Sequence, residues 1–518
     1  MFTRRSFRAA LVAAVLLASP PAPAHAAWHS LEAIPVESPV YRMVEDLAAS
    51  WGQGSAFLAT RPWDRADLGR FLDELVLNAP AAAADPLVVR LRRELEPGPG
   101  PGGWEPAAQF DEDATALELS PYALTNFAED RARHAVVRDL RAGLQASLAL
   151  GDQALLWADV YAGTTSPGPH GNPADSRRFG LLEGVQLNTY YDRATFTWRG
   201  KYGRLHAGHT WLRWGPGAWG TLALSDGAPA FDVVEARVPV LRRLQLAWFV
   251  ATLDPVTQDY LAGHRLEWRP APAWDVSFAE LARFTGASHV PLYLLPVVPY
   301  AHTEKRVLKA SGEEDITAAG QNNVLWSADV AWRWRPGVRL YGELAVDDFS
   351  LSSAKRPKAI GWQAGGEGRR VRGASAWTLR AEYARVYRYT YSSYHGQHFE
   401  FAGAPTGFPL GPDVESSNVR LEWQRGPAWR FGLEGRYVRK GESALGDAYV
   451  PDTPFDSRLI LSGVVDVDAR AGASADWSPA PGLAFGVTAG WSTIEAPNHV
   501  SGATADGAWL QTRGTLRW

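Results

Sequence analysis

From about residue 107 onward, hydrophobic and polar residues alternate over long stretches of the chain. Val338, Leu340, Leu344 and Val346 are interleaved with polar and charged residues, and the run 465–477 follows the same rule. Such alternation predicts β-strands with one apolar face. The runs are about as long as a tilted membrane strand, roughly 9–11 residues. Arginines and acids share the polar face, as expected where charges neutralise each other inside a closed barrel.

Breaks between these runs are of two kinds. Tight turns such as 335–337 and 426–428 alternate with long loops rich in glycine and proline. This asymmetry predicts an all-β transmembrane antiparallel barrel, with turns and loops at opposite ends. About 410 residues at roughly 20–25 per strand and loop give about 16–20 strands. Residues 510–518 alternate up to a terminal Trp518, as the last strands of bacterial outer-membrane proteins do. The alternative is a soluble β-sandwich, whose strands run about 5–6 residues.

Before the barrel, residues 37–96 follow a helical period instead. Ser38 and Asp64 stand at N-cap positions, and a third helix is predicted to begin at Asp85. These helices are too short to be stable alone in water, so they need a partner surface. The proline- and glycine-rich residues 96–103 mark a boundary. We expect residues 27–103 to form a small helical region in the periplasm and residues 104–518 to form the barrel. The sequence leaves three roles open for the helices, which are to cap the barrel, to contact peptidoglycan or to bind a periplasmic partner.

The first 26 residues have the pattern of a secretory signal peptide. Arg4, Arg5 and Arg8 precede a short apolar run, and residues 24–26 fit the small-x-small cleavage rule. A twin-arginine signal is the alternative for the same arginines. The chain has no cysteine, a net charge of −4, 23 tryptophans and 17 tyrosines. That charge indicates no nucleic-acid partner. The aromatic excess suits a membrane–water boundary, and we predict a location in the outer membrane of a Gram-negative cell.

Residues 203–232 contain the most distinctive segment of the chain. A strand-like run is followed by a Trp-Gly-Pro-Gly turn at 214–217 and then by a second apolar run that ends near Asp226. Pro216 has a fixed φ and no N–H, and the neighbouring glycines adopt conformations closed to other residues. Three tryptophans and Arg213 surround the turn. The segment is either a polar–aromatic binding surface or a turn that folds inward and braces the barrel.

This segment resembles the Gly-Arg…Trp-Gly-Pro-Gly…Leu-x-Leu-Ser motif of the Wzi capsule-assembly family of outer-membrane proteins. The family's Asn after that Ser is Asp226 here. The strand 340–349, the pair Asn322 and Asn323, and the loop 407–413 are also similar to family segments. The resemblance implies about 18 strands with periplasmic helices. It further implies a lectin-like role, in which the outer face holds extracellular or capsular polysaccharide on the cell.

Candidate polysaccharide-binding residues are aromatic, acidic or basic side chains in these segments, because sugar rings stack on aromatic faces and hydrogen-bond to polar groups. They are Trp211, Arg213, Trp214, Trp219, Asp226, Tyr389, Tyr391, Tyr394 and Asp413. The loop 293–300, with His302, is a further candidate element. The alternative role of the tyrosines is in a membrane girdle. The alternative role of the tryptophans is in a turn that braces the barrel.

Motifs for catalysis or cofactor binding are missing from the sequence, including a Gly-x-Ser-x-Gly elbow, a His-Glu-x-x-His motif and a P-loop. We therefore expect no enzyme, no cofactor and no metal site. The expected partners are the polysaccharide, outer-membrane lipid and, during biogenesis, the barrel-assembly machinery. Two other functions remain open. One is a porin-like diffusion channel, and the other is a barrel enzyme with a site at the rim.

Overall fold

The structure is a computed structural model. It describes residues 30–95, 108–112, 115–165, 177–182, 185–303, 322–348, 358–393, 396–447, 449 and 461–517. The predicted signal peptide, the predicted boundary at 96–103 and Tyr394 lie outside these residues and remain predictions.

The strands dominate the described chain. In chain order they are β1 Thr60–Arg61, β2 Ala108–Glu112, β3 Thr115–Asp130, β4 Ala135–Leu150, β5 Ala154–Thr165, β6 Arg177–Leu182, β7 Val185–Gly200, β8 Gly203–Thr210, β9 Arg213–Trp214, β10 Phe231–Leu241, β11 Leu244–Asp254, β12 Asp259–Trp268, β13 Trp274–Thr285, β14 Asn323–Arg335, β15 Val338–Asp348, β16 Ala359–Arg372, β17 Ser375–Val386, β18 Glu400–Phe401, β19 Ala404–Pro405, β20 Val414–Arg425, β21 Trp429–Lys440, β22 Asp466–Ala480, β23 Leu483–Glu495 and β24 Thr504–Arg517.

Eighteen of these strands close into an antiparallel barrel, which confirms the predicted fold. The ring consists of β3 to β5, β7, β8, β10 to β17 and β20 to β24, and it closes where β24 pairs with β3. The short strands β2 and β6 add pairings to β3 and β7. Connections such as 201–202, 336–337 and 481–482 lie at one end, here called the turn end. The segments 211–230 and 387–413 leave the strands at the other end, the loop end.

An apolar belt with aromatic side chains surrounds the barrel. Tryptophans face outward near the turn end and stack across neighbouring strands. The ring centroids of Trp274 and Trp332 are 5.0 Å apart, and those of Trp429 and Trp477 are 5.8 Å apart. Such a band is the aromatic girdle of an outer-membrane barrel at one membrane boundary. No helix in the described part of the chain is long and apolar enough to cross a membrane.

Three helices precede the barrel, as the sequence predicts. They span Pro39–Trp51, Arg65–Asn78 and Pro86–Leu95, and a short 3-10 turn, Pro80–Ala84, links the last two. The predicted N-caps are confirmed, because Ser38 accepts a hydrogen bond from the Val40 N–H and Asp64 from the Asp67 N–H. The apolar faces pack into one core of their own around Leu47, Phe71, Leu72 and Leu91.

This helical region lies within the turn end of the barrel. The Gly337 N–H, in the turn between β14 and β15, donates to the Ala49 carbonyl at 2.8 Å. Arg380 of β17 contacts Asp46 at 2.9 Å. On the opposite wall, Leu31 packs against Leu155 and Trp157 of β5. The apolar faces of the helices thus pack on one another, and polar contacts and Leu31 fasten the helical region inside the barrel.

Candidate functional site

The Trp-Gly-Pro-Gly segment belongs to a loop, 211–230, that enters the lumen from the loop end. Here β9 pairs with β1 of the helical region, with Trp214 opposite Thr60 and Arg213 opposite Arg61. The Gly215 N–H donates to the Ala59 carbonyl at 2.8 Å. The loop thus crosses the interior and meets the helices, as in the bracing interpretation. We call it the inward loop.

Trp214 lies in the main core of the barrel interior. Its side chain is fully buried, and its ring meets Phe249 edge-on at a centroid distance of 5.0 Å. The same core contains Leu222 and Leu224 of the inward loop and Tyr391 and Phe408 of the segment 387–413. Trp214 therefore has a packing role in this structure and presents no free face to a ligand.

Two wall carboxylates hold the far side of the inward loop. Glu343 of β15 accepts the N–H groups of Leu222 and Ala223, both at 2.9 Å. Glu382 of β17 accepts the Ala218 N–H at 2.6 Å and the Tyr341 hydroxyl at 2.8 Å. These bonds satisfy buried donors that would each cost about 1–3 kcal/mol if left unpaired.

Sequence reasoning missed these two acids as anchors. Their only local feature is that they occupy inward positions of β15 and β17. Gly217 is also required here, since a Cβ at that position would lie 2.3 Å from the Gln363 amide nitrogen and closer still to the Gly220 carbonyl.

Between the inward loop and the helices lies a polar cavity of about 300 Å³. Three of the predicted site residues, Arg213, Trp219 and Asp226, come together on its wall. An ion pair joins Arg213 to Asp226 at 3.2 Å, and Arg213 also donates to the Gly217 carbonyl. The opposite wall carries Arg42, Glu45 and Arg61 of the helical region.

In this cavity, burial and the neighbouring charges shift the pKa of a side chain in opposite directions. Burial lowers the pKa of Arg61 to about 10, although the neighbouring Glu45 carboxylate acts to raise it. For Asp226, burial raises the pKa, but the Arg213 charge and local hydrogen bonds outweigh it, so the pKa lies below its usual range. The cavity is therefore an ionised, arginine-rich space between the inward loop, the helices and the barrel wall.

The other predicted residues lie towards the loop end. The Trp211 indole donates to the Ala228 carbonyl at 2.8 Å and closes the base of the inward loop. Tyr391 is buried, and its hydroxyl donates to the Leu222 carbonyl at 2.8 Å. Asp413 is buried as well and accepts the Ser443 N–H at 3.1 Å. Tyr391 and Asp413 thus join loop segments to one another.

Tyr389 is a predicted residue whose side chain keeps partial exposure at the loop end. It is half-buried, and the Arg388 guanidinium lies 5.0 Å from its ring centroid. Tyr449, from the segment after β21, meets it edge-on at 5.8 Å. We call Arg388, Tyr389 and Tyr449 the loop-end patch. The sequence pattern does not single out Arg388, although it adjoins Tyr389. Tyr449 lies on a separate connection, and its proximity to Tyr389 is a tertiary property.

The lumen is not uniformly filled. The inward loop and the segment 387–413 pack against the side formed by β10 to β21, while the helical region also contacts β5, β7 and β22. On the other side, inward side chains such as Gln511 and Arg513 keep an exposed surface. Across the described residues, no group of three or more histidine, aspartate or glutamate side chains is arranged to hold a metal ion.

The family model of the capsule assembly protein Wzi matches residues 187–508. No curated protein sequence matches the chain. The structure of Wzi from Escherichia coli, described as a carbohydrate-binding β-barrel and an outer membrane protein involved in group 1 capsule assembly, aligns with a TM-score of 0.64. It is 12% identical, and the alignment covers 93% of this chain and 99% of that one.

Two structures from Pseudomonas aeruginosa are less similar. OccD3 (OpdP) aligns with a TM-score of 0.44 at 11% identity, covering 81% of this chain and 96% of that one. OprD aligns with a TM-score of 0.43 at 11% identity, covering 80% and 97%. The family match spans more than half of the chain and includes the inward loop, β15 and the loop 407–413. The chain therefore belongs to the Wzi capsule assembly family of outer-membrane β-barrels.

Proposed function

We propose that this barrel binds or organises extracellular polysaccharide at the cell surface. Membership of a capsule assembly family supports the proposal, as does the description of the Escherichia coli relative as a carbohydrate-binding barrel. The proposed orientation follows the outer-membrane pattern, with the turn end and its helices in the periplasm and the loop end outside.

The loop-end patch is the observation that carries the proposal. Arg388, Tyr389 and Tyr449 bring a cation and two aromatic rings together at the end that faces the outside in this orientation. Sugar C–H groups stack on aromatic faces, and a guanidinium pairs with carboxylate or phosphate groups in two-point geometry. The chemistry of the patch therefore suits an acidic polysaccharide.

The filled side of the barrel interior favours holding over transport. The inward loop is fastened to the wall by Glu343 and Glu382 and to the helices by strand pairing. A polymer would have to displace this packed core to pass through that half of the lumen. Arg213, Trp219 and Asp226 face the internal cavity. In our proposal these three residues therefore contribute indirectly, by shaping the loop end.

Binding is tested with purified protein on an array of acidic and neutral bacterial surface polysaccharides, together with retention of polysaccharide on cells that express each variant. We expect Arg388→Ala and Tyr389→Ala to reduce both readouts severalfold. The control is Tyr202→Ala, which removes an exposed tyrosine from the turn end and should change neither.

The proposal fails if the wild-type protein retains no polysaccharide on any array or cell surface. Equal loss in the Tyr202 control would also contradict it, because the effect would then not depend on the loop end.

A further inference from the structure

The connection between β13 and β14 takes an unusual path for a barrel loop. Its described part, residues 286–303, folds back over the outer wall. Gly286, with φ 92°, makes the reversal possible. We call this segment the strap. It contains a 3-10 turn, Ala287–His289, and a short helix, Val290–Tyr293.

Side-chain alternation along β13 shows which face the strap covers. Leu281 belongs to the core of the interior, and Arg283 donates to the His398 carbonyl at 2.8 Å, so odd positions point into the lumen. Even positions point outward. Phe278 is exposed there, yet Ala282 and Phe284, further along the same face, are buried. Tyr293 of the strap stacks on Phe284 at 4.0 Å and accounts for that burial.

A carboxylate on this outward face fastens the strap. Glu280 accepts the N–H groups of Tyr300 and Ala301 at 2.7 and 3.2 Å. The Trp326 indole of β14 donates to it at 2.8 Å, and His264 of β12 lies 3.1 Å away. Both neighbours lie directly across the sheet from Glu280. All of its partners are therefore on the outer wall or in the strap.

The depth of Glu280 makes this contact a membrane feature. It lies six positions along β13 from Trp274, a member of the aromatic girdle. At about 3.3 Å per residue and a strand tilt of about 40°, that is about 15 Å above the girdle, near the middle of an apolar belt about 25 Å tall. An uncovered carboxylate at this depth would face hydrocarbon, which costs several kcal/mol. The strap removes that exposure.

The other face of the strap is suited to lipid. Leu295 and Val297 are 52% and 79% exposed, and Leu294 lies beside them. Pro291, Pro296 and Pro299 carry no N–H group, which lowers the number of backbone donors that need partners away from water. The N–H groups of Leu294 and Val298 donate within the strap to Val290 and Leu295.

We infer that the strap is embedded in the outer leaflet, where its exposed face contacts lipid acyl chains while Glu280 latches it to the wall. The occupant is lipid because the exposed side chains of Leu294, Leu295 and Val297 continue the apolar belt. From the sequence, residues 293–300 are a candidate polysaccharide-binding element. In the structure Tyr293 and Tyr300 are buried against the wall instead, so neither ring is available to a sugar.

Because the chain contains no cysteine, single-cysteine variants can test the depth of the strap. The variants Leu295→Cys and Val297→Cys carry an environment-sensitive fluorophore in phosphatidylcholine vesicles whose acyl chains bear a nitroxide quencher. Iodide serves as the quencher in water. The control is Val256→Cys, an 88% exposed position in the β11–β12 connection at the loop end.

We expect the strap labels to be quenched by the acyl-chain nitroxide and to show a severalfold lower iodide quenching constant than the control. Iodide access equal to that of the control would overturn the inference, because the strap would then lie in water. Protection from both quenchers would overturn it too, since a protein surface would then cover the strap.

The latch is tested by adding Glu280→Gln to the Val297→Cys variant. Loss of the charge and of part of the hydrogen bonding should raise iodide access severalfold, whereas Asp254→Asn, at the last residue of β11, should not. Unchanged access in Glu280→Gln would contradict the latch. If that variant does not fold, the depth measurement in the unaltered background still decides whether the strap lies in lipid.

Discussion

Arg369 and Asp85 form a bidentate ion pair in which both side chains are fully buried, with N–O distances of 2.7 and 2.8 Å. The pair joins β16 of the barrel to the start of the third helix. Together with the Arg199–Asp64 ion pair of β7, it fastens the helical region to the wall. Burial raises the pKa of Asp85, but the hydrogen bonds and charge of Arg369 outweigh it and leave the pKa below its usual range.

Substitution Asp85→Asn should loosen the helical region. It leaves the Arg369 charge buried without a counter-ion, which costs about 3–5 kcal/mol. The expected result is faster proteolysis of residues 30–95 in the folded barrel. Asp73→Asn is the matched control, because Asp73 is 70% exposed and pairs with Arg92 on the surface, where the loss is about 0–1 kcal/mol. Equal protease sensitivity of the two variants would contradict the role of the buried pair.

Deprotonation of Asp46 should weaken the docking of the helical region in the barrel as the pH rises through the acid range. Burial is the main cause that raises its pKa to about 6; Arg380 opposes the shift, and the Glu367 carboxylate adds to it. A raised carboxyl pKa contributes stability that is present below the unfolded value of about 4 and lost as the pH passes about 6. The loss reaches about 3 kcal/mol.

The Asp46 prediction is checked with Asp46→Asn, which mimics the protonated state. The thermal midpoint of Asp46→Asn minus that of the wild type should become larger as the pH is raised from about 4 to about 7. A constant difference over that range would show that Asp46 does not titrate in this window.

Loss of the Glu343 carboxylate should release the inward loop. In Glu343→Ala the N–H groups of Leu222 and Ala223 lose their acceptor, at about 1–3 kcal/mol each. We expect larger and noisier ionic conductance in planar bilayers. Glu434→Ala is the comparison, because Glu434 also faces the lumen but is 32% exposed. If both variants conduct like the wild type, the loop is held by other contacts.

Substitution of two tryptophans in the inward loop should distinguish a packing role from a ligand-binding role. Trp214→Ala removes a fully buried ring and should cost about 3–5 kcal/mol. Trp219→Ala should cost less, because Trp219 is half-buried at the cavity. Denaturation midpoints measure the difference. Polysaccharide retention per folded molecule should stay unchanged in Trp214→Ala, and a specific loss there would assign the ring a ligand role.

The candidate site was only partly predictable. Trp-Gly-Pro-Gly marks the inward loop in the sequence, because such a turn has a local conformational signature. The anchors Glu343 and Glu382 look like any other inward acid on a strand, and Tyr449 lies on a different connection from Arg388 and Tyr389. In a sequence pattern, an aromatic residue that packs in a core looks the same as one that binds a ligand. Tyr391 and Tyr389 are two positions apart, yet one is buried in the core and the other borders the surface.

By itself the sequence determined the antiparallel barrel, its approximate strand number and the three capped helices. Those features follow from local rules, namely the period of two, the lengths of the turns and the N-cap residues. Only the tertiary structure decided where each connection goes. The inward loop and the strap have similar apolar and aromatic compositions, but one enters the lumen and the other lies on the outer wall. The choice depends on partners such as Glu343 and Glu280, which face opposite sides of the same sheet, and a linear pattern does not specify that pairing.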